Sequence, residues 1–210
     1  MNNQITQWAD ELEEIRIELE LDAERYPLAL GLAFIAIESG GNDRAHRPGS
    51  QFYGLLQQGH AASLDLGWED RRSKTASRLA GQPLLAIRSW YKIMERYSDR
   101  WGYEGAPAHI TAAILWKGGA GTARRIRDKI RSEGVSVWEA ARWIESHPNK
   151  SWRIHNLSKY LRRMERFYPE ACAWIEQEYE RGQVIEPEPS FHVASSLLEL
   201  GLRLFEMTRA

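Results

Sequence analysis

An all-α fold, with at most a minimal hairpin, is what this sequence predicts, and three observations predict it. Apolar residues recur at steps of three and four along most of the chain, which is the period of a helix face and not the alternation of a strand. Glycines and prolines gather between those segments or at their starts, where they punctuate helices. The 210 residues are 43% apolar and 27% charged, an ordinary globular composition. A body of that size buries roughly 70% of its unfolded surface.

Residues 4–25 carry Ile5, Trp8, Leu12, Ile15 and Leu19 at helical steps, giving an acidic amphipathic helix that Pro27 ends. Leu28–Glu38 is apolar on every side until its last residue, the pattern of a buried central helix. Gly40-Gly41 stops it. Residues 42–58 contain Pro48, Gly49, Ser50 and Gly54 and read as loop, with at most a short irregular strand or hairpin. Helices are expected at about 59–66, 83–99 and 107–117, with Pro83 and Pro107 near helix starts, where proline is tolerated. Gly118-Gly119-Ala120-Gly121 is expected to break the chain before a basic helix near 122–132. Further helices fall at 136–146, 152–167 and 170–181, Pro169 opening the last. Glu186-Pro187-Glu188-Pro189 reads as a stiff linker, and a leucine-rich helix occupies 191–208. The expected organisation is a globular domain over 1–182, a linker over 183–190 and a helical tail over 191–210.

Composition excludes several classes of function. The single cysteine, Cys172, rules out a disulfide framework and a multi-cysteine metal cluster. The histidines 46, 60, 109, 147, 155 and 192 show no pair at metal-ligand spacing, so no metal and no cofactor are inferred. Net charge is −1, with no global attraction to nucleic acid. The charge is nonetheless uneven: −6 over 1–26, +8 over 117–166 and −5 over 170–210. A basic middle between acidic ends suits an anionic polymer partner or internal pairing, although solvated helix faces account for most of these charges. The longest apolar run, Leu28–Ile37, has 10 residues. A membrane span needs about 20. No basic, apolar leader opens the chain, so no signal peptide is expected. The tail has near-zero net charge and a broad apolar face, open to docking on the domain, to a dimer contact or to a larger assembly. The nine tryptophans at helical spacing mostly suit a core; Trp116 alone stands in a motif.

Glu38 is the candidate for chemistry. It closes the most hydrophobic helix, where burial and the negative helix C-terminus both disfavour its charge. A carboxyl that keeps its proton near neutral pH can donate it to a leaving oxygen. Around it stands Ile35-Ala36-Ile37-Glu38-Ser39-Gly40-Gly41-Asn42, then Gly54-Leu55-Leu56-Gln57, and later Ile114-Leu115-Trp116-Lys117-Gly118-Gly119-Ala120-Gly121. Leu64-Asp65-Leu66-Gly67, the Leu84–Tyr97 segment and Tyr160-Leu161 follow in matching order. Over about residues 28–168 this ordered set resembles the soluble lytic transglycosylases.

The resemblance implies a lysozyme-like fold and cleavage of peptidoglycan glycan strands at the MurNAc–GlcNAc β-1,4 bond, with 1,6-anhydromuramic ends. It implies Glu38 as sole catalytic acid/base and Ser39 beside it, orienting it or touching substrate. Tyr53, Gln57, Trp116, Lys117 and Tyr160 then line the substrate cleft, Gln57 binding sugar amides and Tyr160 hydrogen-bonding Glu38. Leu56 stands where the family has methionine, Trp116 where it has tyrosine and Lys117 where it has asparagine. Such a lysine is open to pairing with a stem-peptide carboxylate or with Glu38 itself, and the latter would lower the acid's pKa. Candidates for a second acid are Asp43, Asp65, Glu69 and Asp70, and one rival is a hydrolysing muramidase on the same fold that uses an acid near 65–70. The other is a non-catalytic wall-binding or assembly protein. A wall enzyme without a signal peptide is expected to arrive in a virion, through lysis or by a secretion machine, acting in the periplasm or outside the cell.

Overall fold

The computed structural model describes residues 1–59, 76–97, 106–149, 151 and 153–181. These are mostly helical (66%) with almost no strand, an all-α architecture. The order is α1 (Asn3–Thr6), α2 (Ala9–Glu18), α3 (Leu28–Glu38), a 3-10 turn (Ala76–Leu79), α4 (Pro83–Arg96), α5 (Ala108–Glu133), α6 (Val137–Ser146) and α7 (Leu157–Glu180). The chain divides into two units, Met1–Trp174 and Ile175–Ala210. Of the second, the described part is residues 175–181. The expected helix at 59–66, the linker over 183–190 and the tail over 191–210 lie outside the described residues. No described helix is long and apolar enough to cross a membrane.

The all-round apolar segment runs as α3 over the expected residues, and Ala29 through Ile37 are all buried. Helices α1 and α2 pack on it, and α2 also packs on α4. Gly31 permits the close approach of α2, because a Cβ there would lie 2.6 Å from Leu12 Cδ2. Tyr91 of α4 donates its hydroxyl to Leu12 O at 3.2 Å, and Arg88 pairs with Glu18. The Phe34 ring meets Trp90 at 5.4 Å and Trp116 at 5.8 Å, so α3 carries both α4 and α5 against one aromatic side chain.

Two expected boundaries shift. The 4–25 segment is two helices: the chain turns at Trp8, whose Nε1 donates to Gly41 O at 2.9 Å, and α2 gives way near Glu20, which has φ 54°. The expected break at the glycine cluster falls at Gly119, which leaves helical geometry at φ 70° and ψ 175°, so α5 consists of two helical segments that meet at a kink there. Pro169 does not open a new helix but lies inside α7, on its exposed side.

The loop after α3 is pinned rather than free. Tyr53 exchanges backbone hydrogen bonds with Gln58 at 3.1 and 3.0 Å, and Gly54 N donates to Ala45 O at 2.9 Å. Isolated antiparallel bridges at His46–Tyr53 and Tyr53–Gln58 give this loop a minimal hairpin-like character. Leu55 and Leu56 are buried, and Gln58 Nε2 donates to Ala86 O at 3.0 Å, fastening the loop to α4.

Candidate active site

The site begins with the end of α3. Ser39 and Gly40 both donate their N–H to Ile35 O, at 3.1 and 3.0 Å, closing the last turn. Ser39 Oγ accepts from Gly41 N at 3.1 Å, so this hydroxyl serves the local turn and not the Glu38 carboxyl. Gly41 sits at φ 94° with its carbonyl held by Trp8. Glu38 is thereby fixed in backbone position as the first polar residue after nine buried ones.

Two donors from distant helices converge on one of its oxygens. Tyr160 of α7 donates its hydroxyl to Glu38 Oε1 at 2.5 Å, and Trp116 of α5 donates its indole Nε1–H to the same atom at 2.9 Å. Oε2 takes no hydrogen bond from a described residue. An indole N–H is a donor only, and a phenol beside a carboxylate donates too, so both lone-pair sites of Oε1 are occupied. The proton of the neutral acid therefore belongs on Oε2.

Burial pushes the Glu38 carboxyl above the ordinary range. The Tyr160 hydrogen bond, the Lys117 charge, the Trp116 hydrogen bond and the Arg163 charge pull it back, in that order, without cancelling the rise. Tyr160 itself is raised well above its ordinary value, first by burial and then by the neighbouring carboxylate, so it stays a donor. The result is an acid that holds its proton longer than an exposed carboxyl and keeps two donors ready for its anion.

Lys117 makes no ion pair with Glu38. Its side chain is exposed, and Nζ stands 5.4 Å from the centroid of the Tyr160 ring, a cation–π distance. Arg163, one turn beyond Tyr160, extends to Ala36 O at 3.4 Å at the carboxyl end of α3.

Helix α7 is positioned from its own start. Glu145 of α6 accepts from Ser158 N at 2.8 Å and Ser158 Oγ at 2.7 Å, capping the first turn with a carboxylate. Ser136 and Glu139 form a reciprocal capping box that starts α6 in turn.

Of the residues singled out in the sequence, Glu38, Trp116, Lys117 and Tyr160 stand together. Ser39 adjoins them through the backbone. Tyr53 and Gln57 are engaged elsewhere: Tyr53 stacks on His46 with centroids 4.4 Å apart, and Gln57 Nε2 donates to Ala45 O at 2.7 Å and Gly54 O at 3.0 Å. The amide nitrogen of Gln57 thus holds the loop, leaving its oxygen for any ligand. Asp43 contributes its carbonyl to Gly81 N at 2.9 Å, and Asp65, Glu69 and Asp70 lie outside the described residues. The sequence placed Trp116 in the cleft but gave no sign that its N–H meets Glu38, and it did not single out Arg163. The i, i+3 spacing of Tyr160 and Arg163 on one helix face was the available signal. Among the described residues no group of three or more His, Cys, Asp or Glu side chains is placed to hold a metal ion. No family model matches this chain, and no curated protein matches it.

Proposed function

We propose that the protein is a peptidoglycan lytic transglycosylase of lysozyme-like fold, with Glu38 as its single acid/base. One observation carries the reading: a half-buried carboxyl whose pKa is raised by desolvation, both hydrogen bonds on Oε1, and Oε2 left to move a proton. The motif order along residues 28–168 supports it from the sequence side.

In this reaction Glu38 Oε2–H gives its proton to the glycosidic oxygen, and the C1–O bond breaks. The N-acetyl carbonyl of the same sugar stabilises the positive charge at C1. The Glu38 carboxylate, steadied by Tyr160 and Trp116, then removes the proton of the C6 hydroxyl, whose oxygen closes on C1. The acid is restored, and no water is consumed. A residue that acts first as acid and then as base needs a pKa near the working pH, and opposing burial and hydrogen bonds supply that compromise. On this reading the protein works on the bacterial wall, carried in a phage particle or released by lysis; its detection in purified particles tests the first route.

Digestion of purified sacculi, followed by mass analysis of the products, is the direct test. The expected products end in anhydro sugars, one water lighter than reducing ends. Exclusively reducing ends would identify a muramidase. Glu38→Gln keeps an acceptor for both donors but has no proton to give, and its lytic rate is expected to fall at least about a thousandfold. Undiminished lysis by that variant removes Glu38 from the mechanism.

A further inference from the structure

Lys117 is exposed, lies against the ring of the tyrosine that holds the acid, and pairs with no described carboxylate. Arg163, the other cation acting on Glu38, has structural work at the end of α3, where it extends to the Ala36 carbonyl at 3.4 Å. The Tyr160 face explains where the Lys117 ammonium rests but not why a charge is present: an uncharged side chain would cover the ring as well. Its charge also acts against the acid, since a nearby cation favours the carboxylate form of Glu38. A cost of that kind beside the reacting atoms is accounted for if an anion neutralises the lysine when substrate binds.

We propose that Lys117 is a substrate-binding residue that takes a carboxylate of the glycan strand, and so makes the site selective for acidic over uncharged strands. The inference rests on the transglycosylase reading and adds the chemical class that the site prefers. A muramyl strand carries such a group in two places, the lactyl ether when it is free and the stem peptide when it is present. Both present a planar anion to an ammonium group resting on an aromatic face, an arrangement that leaves ammonium protons pointing away from the ring. The bound carboxylate would cancel the field of Lys117 at Glu38, so the acid recovers its proton affinity only when the acidic strand is in place.

The test uses the full chain with four soluble strand preparations: peptide-bearing strands, amidase-stripped strands with free lactyl carboxylates, and each of these with carboxyl groups capped as methylamides. Wild type is expected to cleave at least one acidic preparation with a kcat/KM about fivefold above that of its capped counterpart, the scale of a single exposed ion pair. Lys117→Met is expected to bring that ratio below about twofold, and Lys117→Arg to restore it. Preference for the peptide-bearing or the stripped strands identifies which carboxylate is taken. An unchanged acidic-to-capped ratio in Lys117→Met overturns the proposal while leaving the transglycosylase reading intact. Should wild type cleave nothing, the catalytic reading fails. Binding of the same four preparations to Glu38→Gln and to the Glu38→Gln, Lys117→Met double variant then decides the Lys117 proposal alone: equal affinities, or no binding at all, overturn it.

Discussion

Replacing Tyr160 with phenylalanine removes one of the two hydrogen bonds on Glu38 Oε1. That bond favours the carboxylate, so its loss raises the Glu38 pKa further and moves the alkaline limb of the kcat/KM profile to higher pH. With a higher pKa Glu38 is a weaker acid toward the leaving oxygen and its anion loses a positioning donor, so kcat is expected to fall roughly tenfold. A pH–rate profile of the variant against wild type reads both effects, and an unmoved limb would separate Tyr160 from the acid's ionisation. Folding stability responds to the same carboxyl with the opposite emphasis. Because Glu38 holds its proton to higher pH when folded than when unfolded, the folded state binds more protons between the two pKa values. Stability therefore falls as pH rises through that window, and the loss is complete above the folded value. Glu38→Gln removes the loss, so the variant is expected to gain more in Tm over wild type at about pH 8 than at about pH 4. Equal gains at both pH values would contradict a desolvated acid. Glu38 was legible in the sequence because it closes a ten-residue apolar run and stands first in an ordered set of motifs; its position alone also suits an acid turned to solvent or held in a structural ion pair. The Trp116 donor was not legible, since it meets Glu38 across 78 residues, a pairing that no local pattern encodes.

At the level of elements, the two glycines after α3 make a controlled comparison. Both have positive φ, yet a Cβ on Gly40 meets nothing within 4 Å, whereas one on Gly41 would lie 1.9 Å from Gln4 O. Gly40→Ala is expected to cost about 1 kcal/mol from backbone strain alone. Gly41→Ala must also push α1 away and is expected to cost at least about 2 kcal/mol more, since packed backbone yields poorly. Denaturant melts of the two variants check the difference, and equal costs would deny that α1 clamps the end of α3. The limits of α3 were readable because apolarity and breakers agree there. The break inside α5 was readable too, because four small residues in a row look like a stop, and Gly119 leaves helical geometry there. Gly118 is small for a packing reason: a Cβ on it would lie 2.7 Å from Thr122 Cβ. Pro169 did mislead. Its missing N–H breaks one bond on the exposed side of α7, and the buried Leu161, Met164 and Ala171 to either side keep the helix seated. In α7 tertiary packing outweighs a local breaker.

Across the first unit, α3 is the member most completely enclosed, with Leu32, Ala33, Phe34 and Ile35 all at 0% exposure. Native-state hydrogen exchange is expected to be slowest for the amides of Leu32–Ile37, at rates set by global unfolding. Faster exchange there than in α7 would contradict a core built around α3. The all-α class was legible from periodicity because helical repeats dominate most of the described segments. The convergence of α5 and α7 on the end of α3 was implied by the resemblance, which put Tyr160 on Glu38 and Trp116 in the same cleft; periodicity alone does not give it, because it depends on how separate faces dock. That convergence has a consequence for synthesis. Tyr160 lies 122 residues beyond Glu38, so a ribosome has made the acid long before it makes the phenol that steadies it. A growing or clipped chain lacking α7 carries the residue but not the assembled centre. On the reading proposed above, such a chain is expected to lack lytic activity, a delay that would spare the cell producing the protein.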